Sequence, residues 1–212
     1  MTKLRIAFDI DGVLADTERP LKREILKRFP HLKLDDIKHS GMYHNMYQFD
    51  DKGLESEVRE VINYFFKFDP EGTVYRDADP YKPSVGAIPL LTQFEPVAYI
   101  TRRPEIFRTV TQEWLDKHDY PKLPLFHIEH GTCKSDKMKE LGIQVIVEDS
   151  PYEIESCLGN DVKVIIIPHN YNEELRSGLK LRSDLHPSRY TIADWYTLLS
   201  HNFFHFCVLE RA

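Results

Sequence analysis

Five short apolar runs constrain this chain more than any other feature: "LRIAFDI" at 4–10, "VAYIT" at 97–101, "LFHI" at 125–128, "VIVE" at 145–148 and "KVIIIP" at 163–168. Several are continuously apolar and rich in Ile and Val. That pattern suits strands covered on both faces, as in a parallel sheet. Helical patterns fall between them. "PEIFRTVTQEWLDKHD" (104–119) opens on a proline suited to the first helical turn. "SDKMKELG" (135–142) ends on Gly142, a good stop. "SPYEIESCLG" (150–159) has Ser150 at the N-cap and Glu153 three residues on, which predicts a capping box. Strand and helix alternating in this way predict an α/β fold: a Rossmann-like, doubly wound, parallel five-stranded sheet.

The stretch 17–84 breaks the rhythm. "ERPLKREILKRF" (18–29) and "LESEVREVINYFFKF" (54–68) read as helices, the second with Leu54, Val58, Val61, Phe65 and Phe68 on one stripe. No strand pattern interrupts them. The expected organisation is therefore a core of 1–16 and 85–212 with a helical cap, 17–84, inserted after the first strand. The tail from Arg189 reads as a short extended piece followed by a helix packed back on the core.

The 212 residues allow one large domain or a core with a smaller insert. A net charge of −6 argues against a nucleic-acid polymer as partner. No apolar run approaches the ~20 residues of a membrane span, and "MTKLRIAFDI" carries no small-residue cleavage site. Cys133, Cys157 and Cys207 have no metal-ligand spacing and read as reduced thiols. The expectation is a cytoplasmic protein without a membrane partner. The aromatic tail leaves a homodimer open.

In open α/β sheets ligands bind at the carboxyl ends of strands. Asp9 and Asp11 lie at such an end, as do Thr101 and the pair Glu148–Asp149. Lys134 opens the helix before the fourth strand and can reach the same rim. Four carboxylates this close raise one another's pKa. A hard divalent cation relieves the conflict, and magnesium commonly takes one or two carboxylates plus substrate phosphate. A metal and a lysine beside carboxylates make a phosphoryl clamp. One aspartate can then attack phosphorus to form an aspartyl-phosphate. The other can protonate the leaving alkoxide and afterwards activate water.

"FDIDGVLADT" resembles the first motif of the haloacid dehalogenase superfamily of phosphohydrolases. "YITRR" resembles its second motif and "VIVEDS" its fourth. Lys134, fourteen positions before Glu148, is similar in spacing to the third-motif lysine. The resemblance covers about 4–16 and 85–170 and does not extend to the insert. It implies Asp9 as nucleophile, Asp11 as general acid/base, and Thr101 and Lys134 on the phosphoryl oxygens. It further implies Mg2+ held by Asp9, the main-chain carbonyl of Asp11 and Asp149, with Glu148 behind them. Arg102 and Arg103 are further candidates for substrate phosphate. Only Arg103 matches the T-x-R-P pattern; reaching an anionic substrate and pairing with a surface carboxylate are both open to it.

"DGVLAD", "ITRRPE" and "IPHNYN" together look like the 5′-nucleotidase and deoxyribonucleotidase-like branch. The leading expectation is a magnesium-dependent phosphomonoesterase with a small phosphorylated substrate, a 5′-nucleotide among the candidates. The alternatives are a phosphomutase or sugar phosphatase on the same core, and a non-catalytic phosphate-binding protein. In the insert, Tyr43 and Tyr47 are the aromatics freest to meet substrate, near His39, His44 and Asn45. His169, Asn170 and Asn172 follow the fifth strand on the same rim.

Overall fold

A computed structural model of the chain describes residues 3–34, 47–129 and 131–200. Strand β1 (Leu4–Phe8) is followed by a two-residue strand β2 (Ala15–Asp16) and helices α1 (Glu18–Arg28), α2 (Lys52–Asn63) and α3 (Thr73–Arg76). The chain returns through β3 (Asp79–Pro80) and enters the alternation β4 (Phe94–Thr101), α4 (Arg108–Lys117), β5 (Leu125–His127), α5 (Lys134–Glu140), β6 (Val145–Glu148), α6 (Pro151–Gly159), β7 (Lys163–Ile166). α7 (Glu173–Leu179), β8 (Tyr190–Ile192) and α8 (Trp195–Leu199) complete it.

The main sheet runs β5-β4-β1-β6-β7-β8, every neighbouring pair parallel. Alternate side chains enter different clusters. Ile6, Phe8, Tyr99, Val145, Val147 and Ile165 pack on one side, and Ala7, Ala98, Ile100, Ile146, Val164 and Ile166 on the other. Both faces are thus covered, which is why the runs are apolar without alternation. The expected five strands are joined by a sixth. Tyr190–Ile192 pairs Val164↔Tyr190 to Ile166↔Ile192 at the edge, where a short, half-buried strand needs no apolar run.

The chain leaves β1 in one direction, through β4 and β5, and then crosses back to β6, β7 and β8 on the other side. β1 and β6 are therefore neighbours at the switch point, where strand ends open a crevice. Phe8 pairs with Val147, so Asp9 comes abreast of Glu148.

Between β2 and β3 the helices build their own cluster, including Leu21, Ile25, Val58, Val61, Ile62, Phe66, Val74 and Tyr75, and seat it on Phe107 and Val110 of the core. The predicted stripe on 54–68 holds for Val58 and Val61, which are buried, and for Leu54 and Phe65, which are half-buried against the same cluster, but Phe68 is 67% exposed and Phe66 is buried instead. The reason is a π-helical turn over Tyr64–Phe68, whose wider winding rotates the following side chains out of α-helical phase. Tyr47 is buried in this cluster at 3% exposure, so it is not free to meet a ligand as expected. Tyr43, His39, His44 and Asn45, like Cys207 and the rest of 201–212, lie outside the described residues. β2 and β3 pair antiparallel, Ala15↔Pro80 and Asp16↔Asp79, so the outgoing and returning chain are tied together.

Trp195 on α8 is buried, stacks at 6.3 Å on Phe8 and donates its Nε1–H to the Val13 carbonyl at 2.8 Å. The described part of the tail thus packs on the core. No helix among the described residues is long and apolar enough to cross a membrane. Trp195→Phe leaves the buried Val13 carbonyl without its donor. Urea unfolding should read a loss of about 1–3 kcal/mol with an unchanged m-value.

Candidate active site

Three strand ends and one helix start converge. β1 runs into Asp9, whose N–H donates to the Val147 carbonyl at 3.0 Å. β6 delivers Glu148 and Asp149, and β4 ends on Thr101. Oxygens of Asp9, Glu148 and Asp149 lie within 4.8 Å of one another. Lys134, at the start of α5 and fully buried, places its ammonium 2.9 Å from Asp9 Oδ1 and donates to Glu148 Oε2 at 2.8 Å.

Both oxygens of Glu148 are engaged. Its Oε1 accepts from the N–H groups of Asp149 (3.1 Å) and Ser150 (3.0 Å), and its Oε2 accepts from Lys134. A carboxylate two residues upstream thus satisfies the free N–H of the Ser150 cap. The predicted capping box is absent: Ser150 makes no side-chain cap bond, and Glu153 is drawn to Arg102 at 2.6 Å. Asp149 is the opposite case. Its Oδ2 accepts from the Tyr171 hydroxyl, whereas its buried Oδ1 has no hydrogen-bond partner among the described residues.

Burial dominates the electrostatics. It holds the Asp9 carboxyl well above the usual range, reinforced by Glu148 and opposed by Lys134. It pushes Asp149 up to about 7, with Asp9 adding to the effect and the Tyr171 hydrogen bond opposing it. It also pushes Glu148 up to about 7 against the pull of Lys134. Burial acts to lower the Lys134 pKa, but Asp9 and Glu148 together outweigh it and keep the ammonium charged. Three buried carboxylates thus face one ammonium. A hard divalent cation fits this donor set, because it would neutralise the surplus and give Asp149 Oδ1 a partner.

Asp11 stands apart from this cluster. Arg103, buried to 1% exposure, donates from Nε to Asp11 Oδ1 (3.2 Å) and Oδ2 (3.0 Å) and from Nη2 to Oδ1 (2.7 Å). Arg103 thus pairs with a carboxylate, that of Asp11 and not a surface acid. Thr101 is fully buried and its Oγ1 accepts from the Arg103 N–H at 3.2 Å. Arg102 turns away to Glu153 and to the Glu129 carbonyl (2.8 Å). Asp9, Glu148, Asp149 and Lys134 are therefore brought together, whereas the guanidinium groups of Arg102 and Arg103 are committed within the protein.

Sequence reasoning missed Tyr171 and the reason for Gly12. His169, Asn170 and Asn172 were legible as a rim loop; Tyr171 sits among them and is the one that reaches Asp149. The Asn172 side chain donates to the carbonyls of Asp149 and Ile167, both at 2.9 Å. His169 stacks on Tyr171 at 4.8 Å and 8°, and its Nε2 lies 2.6 Å from the Gly12 carbonyl. A carbonyl only accepts, so Nε2 carries the proton. The ring also accepts from the Asn172 N–H, and burial lowers its pKa. Gly12 has φ +74°, and a Cβ there would fall on the Asp149 carboxylate and 2.7 Å from the Tyr171 hydroxyl.

No family model matches the sequence, and comparison with curated protein sequences finds no match. Solved structures do match. A haloacid dehalogenase-like hydrolase from Streptococcus pneumoniae superposes with a TM-score of 0.61 at 12% identity, covering 95% of this chain and 98% of that one. The fold is that of the haloacid dehalogenase-like hydrolases. A hydrolase from Pseudomonas syringae gives 0.55 at 13% identity over 95% and 99% of the two chains. A provisionally assigned β-phosphoglucomutase from Thermotoga maritima gives 0.50 at 16% over 82% and 91%. At these identities the likeness carries the haloacid dehalogenase fold and nothing finer.

Gly12→Ala should displace Asp149 and strain a left-handed backbone position. The expected outcome is a folded protein whose melting temperature no longer rises on adding magnesium, read by thermal denaturation. A second outcome concerns pH. Glu148 and Asp149 bind protons more tightly folded (about 7) than unfolded (about 4). The contribution of these two carboxyls to the stability of the metal-free protein is therefore full below about pH 4 and is lost as pH rises through about 7. Melting temperatures in a chelator should drop across that window. Asp149→Asn should flatten the drop and melt higher than the unaltered protein at pH 8.

Proposed function

We propose that this chain is a magnesium-dependent phosphomonoesterase of the haloacid dehalogenase superfamily, acting on a small phosphorylated metabolite through an aspartyl-phosphate on Asp9. The observation that carries the reading is the Asp9–Glu148–Asp149 cluster around the Lys134 ammonium, with Asp149 Oδ1 left unpartnered. Asp9 and Asp149, with the Asp11 carbonyl, would hold Mg2+; Glu148, both of whose oxygens are already used, sets the positions of Lys134 and the Asp149 backbone. The cation supplies charge neutralisation that lets an anionic carboxylate approach an anionic ester.

The chain's own groups do the rest. Lys134 and Thr101 orient the phosphoryl oxygens. An Asp9 oxygen forms a bond to phosphorus as the ester P–O bond breaks, and the Asp11 carboxyl passes a proton to the departing alkoxide. Asp11, now ionised, takes a proton from water while the water oxygen attacks phosphorus. That step releases inorganic phosphate and restores the Asp9 carboxylate. The helices of 17–84 serve as a cap over the core of 1–16 and 85–212 and select the substrate. The nucleotidase-like look of "DGVLAD", "ITRRPE" and "IPHNYN" favours a 5′-nucleotide. A phosphomutase would share the first half-reaction and return the phosphoryl group to a sugar phosphate instead of to water.

Hydrolysis of para-nitrophenyl phosphate with and without magnesium tests the class. Turnover should require the metal, and Asp9→Asn should reduce it on the order of a thousandfold or more. Metal-independent turnover, or full turnover by Asp9→Asn, would remove the proposal. A panel of 5′-nucleotides and sugar phosphates, scored by kcat/KM, then separates the substrate classes.

A further inference from the structure

We infer that Arg103 is the positioning residue for the acid/base carboxylate of Asp11, and that the helical insert holds Arg103 in place through Tyr75. The inference rests on the proposed phosphoryl-transfer reading.

Arg103 has an unusual setting. Its side chain is fully buried, yet it follows Thr101 on a loop at the rim of the sheet. Three N–H···O contacts at 2.7–3.2 Å grip Asp11 through Nε and Nη2. The remaining Nη1 donates to Thr111 Oγ1 on α4 at 3.2 Å. The guanidinium carbon lies 4.3 Å from the Tyr75 ring centroid and 6.0 Å from that of Trp114. Its main chain is fixed as well: the N–H bonds to Thr101 Oγ1, and the carbonyl lies 2.8 Å from His127 Nδ1. A planar fork held on one face by an aromatic ring presents two donors in a set direction. The Asp11 side chain, 29% exposed, is the less constrained member of the pair. Arg103 therefore fixes Asp11, and not the reverse.

Tyr75 makes the clamp depend on the insert. It belongs to α3, between β2 and β3, and is buried with Phe66 and Phe107. Its hydroxyl donates to the Phe66 carbonyl at 3.0 Å, in the π-helical turn. Its ring meets Phe107 edge-on at 4.8 Å. The seating of the insert on α4 thus sets the ring against which Arg103 lies, and through Arg103 the direction of the Asp11 carboxyl.

The chemistry gives a readout that separates this role from a merely structural one. Asp11 delivers a proton to the leaving oxygen in the step that bonds Asp9 to phosphorus. An alkoxide needs that proton, whereas para-nitrophenolate leaves without it. kcat/KM reports the steps through the first irreversible one. Misaligning Asp11 should therefore reduce kcat/KM for an alkyl ester, glycerol phosphate, far more than for the aryl ester.

The experiment measures both esters, with magnesium, in the unaltered protein, Arg103→Lys, Tyr75→Leu and the double variant. Arg103→Lys keeps the charge and loses the fork. It should reduce alkyl-ester kcat/KM about tenfold to a hundredfold, a part of the usual contribution of a general acid, and aryl-ester kcat/KM less than about threefold, the part that does not need the acid. Tyr75→Leu should shift the ratio in the same direction by less, and the double variant should be no worse than Arg103→Lys. The magnesium-induced rise in melting temperature should persist in all three. Equal losses on both esters, or additive losses in the double variant, would overturn the inference. If Arg103→Lys fails to fold, the Tyr75→Leu ratio decides. If the unaltered protein shows no magnesium-dependent turnover, the phosphomonoesterase reading falls and takes this inference with it. If it turns over and the alkyl-to-aryl ratio stays fixed in the variants, only the inference falls.

Discussion

One buried ammonium makes the rest of this arrangement tenable. Lys134 lies between Asp9 and Glu148, within 3 Å of an oxygen of each, fully buried at the carboxyl ends of the central strands. Without it, three carboxylates would be desolvated side by side, a cost the fold could meet only by leaving them protonated. With it, two are paired and one oxygen of the third is left over. The helix that carries Lys134 is seven residues long and is fixed by burial of Met138 and packing against α6. The placement of one cation thus depends on ordinary hydrophobic packing behind the sheet.

Around that centre the supports are layered. Glu148 joins the lysine to the backbone of the following turn, and Tyr171 steadies one Asp149 oxygen from outside. His169 and Asn172 fasten the rim loop to the turn after β1 and to the end of β6. These contacts give partners to groups that burial would otherwise strand, while Asp149 Oδ1 is among the buried polar atoms that still lack one. The closeness of the Gly12 backbone to Asp149 belongs to the same economy of space.

Much of this was legible in the chain. Continuous apolar runs announced strands buried on both faces, and the acids and Thr101 stood at the ends of three of them. What was not legible depended on contacts across the fold. Ser150 and Glu153 have the spacing of a capping box, yet stronger charged partners claim both sites: Glu148 takes the amide and Arg102 takes the carboxylate. The stripe through Phe68 follows α-helical phase, which a π-helical turn breaks four residues earlier. β8 is three half-buried residues and owes its strand state to the open edge of β7. Tyr171 looks, in sequence, like a loop residue beside the motif positions, and Arg103 fits the T-x-R-P pattern without showing which group it meets. Only the fold turns one onto Asp149 and the other onto Asp11.

The ribbon of β2 and β3 has a consequence for how such a protein changes over time. All of the chain between Asp16 and Asp79 enters and leaves through two adjacent pairs of residues. Insertions, deletions or wholesale replacement in the intervening helices alter no crossover of the main sheet and no order among its strands. The helices can therefore drift through mutation while the charged centre stays as it is, provided any newcomer still offers an apolar face to Phe107 and Val110 and a ring to the arginine beneath.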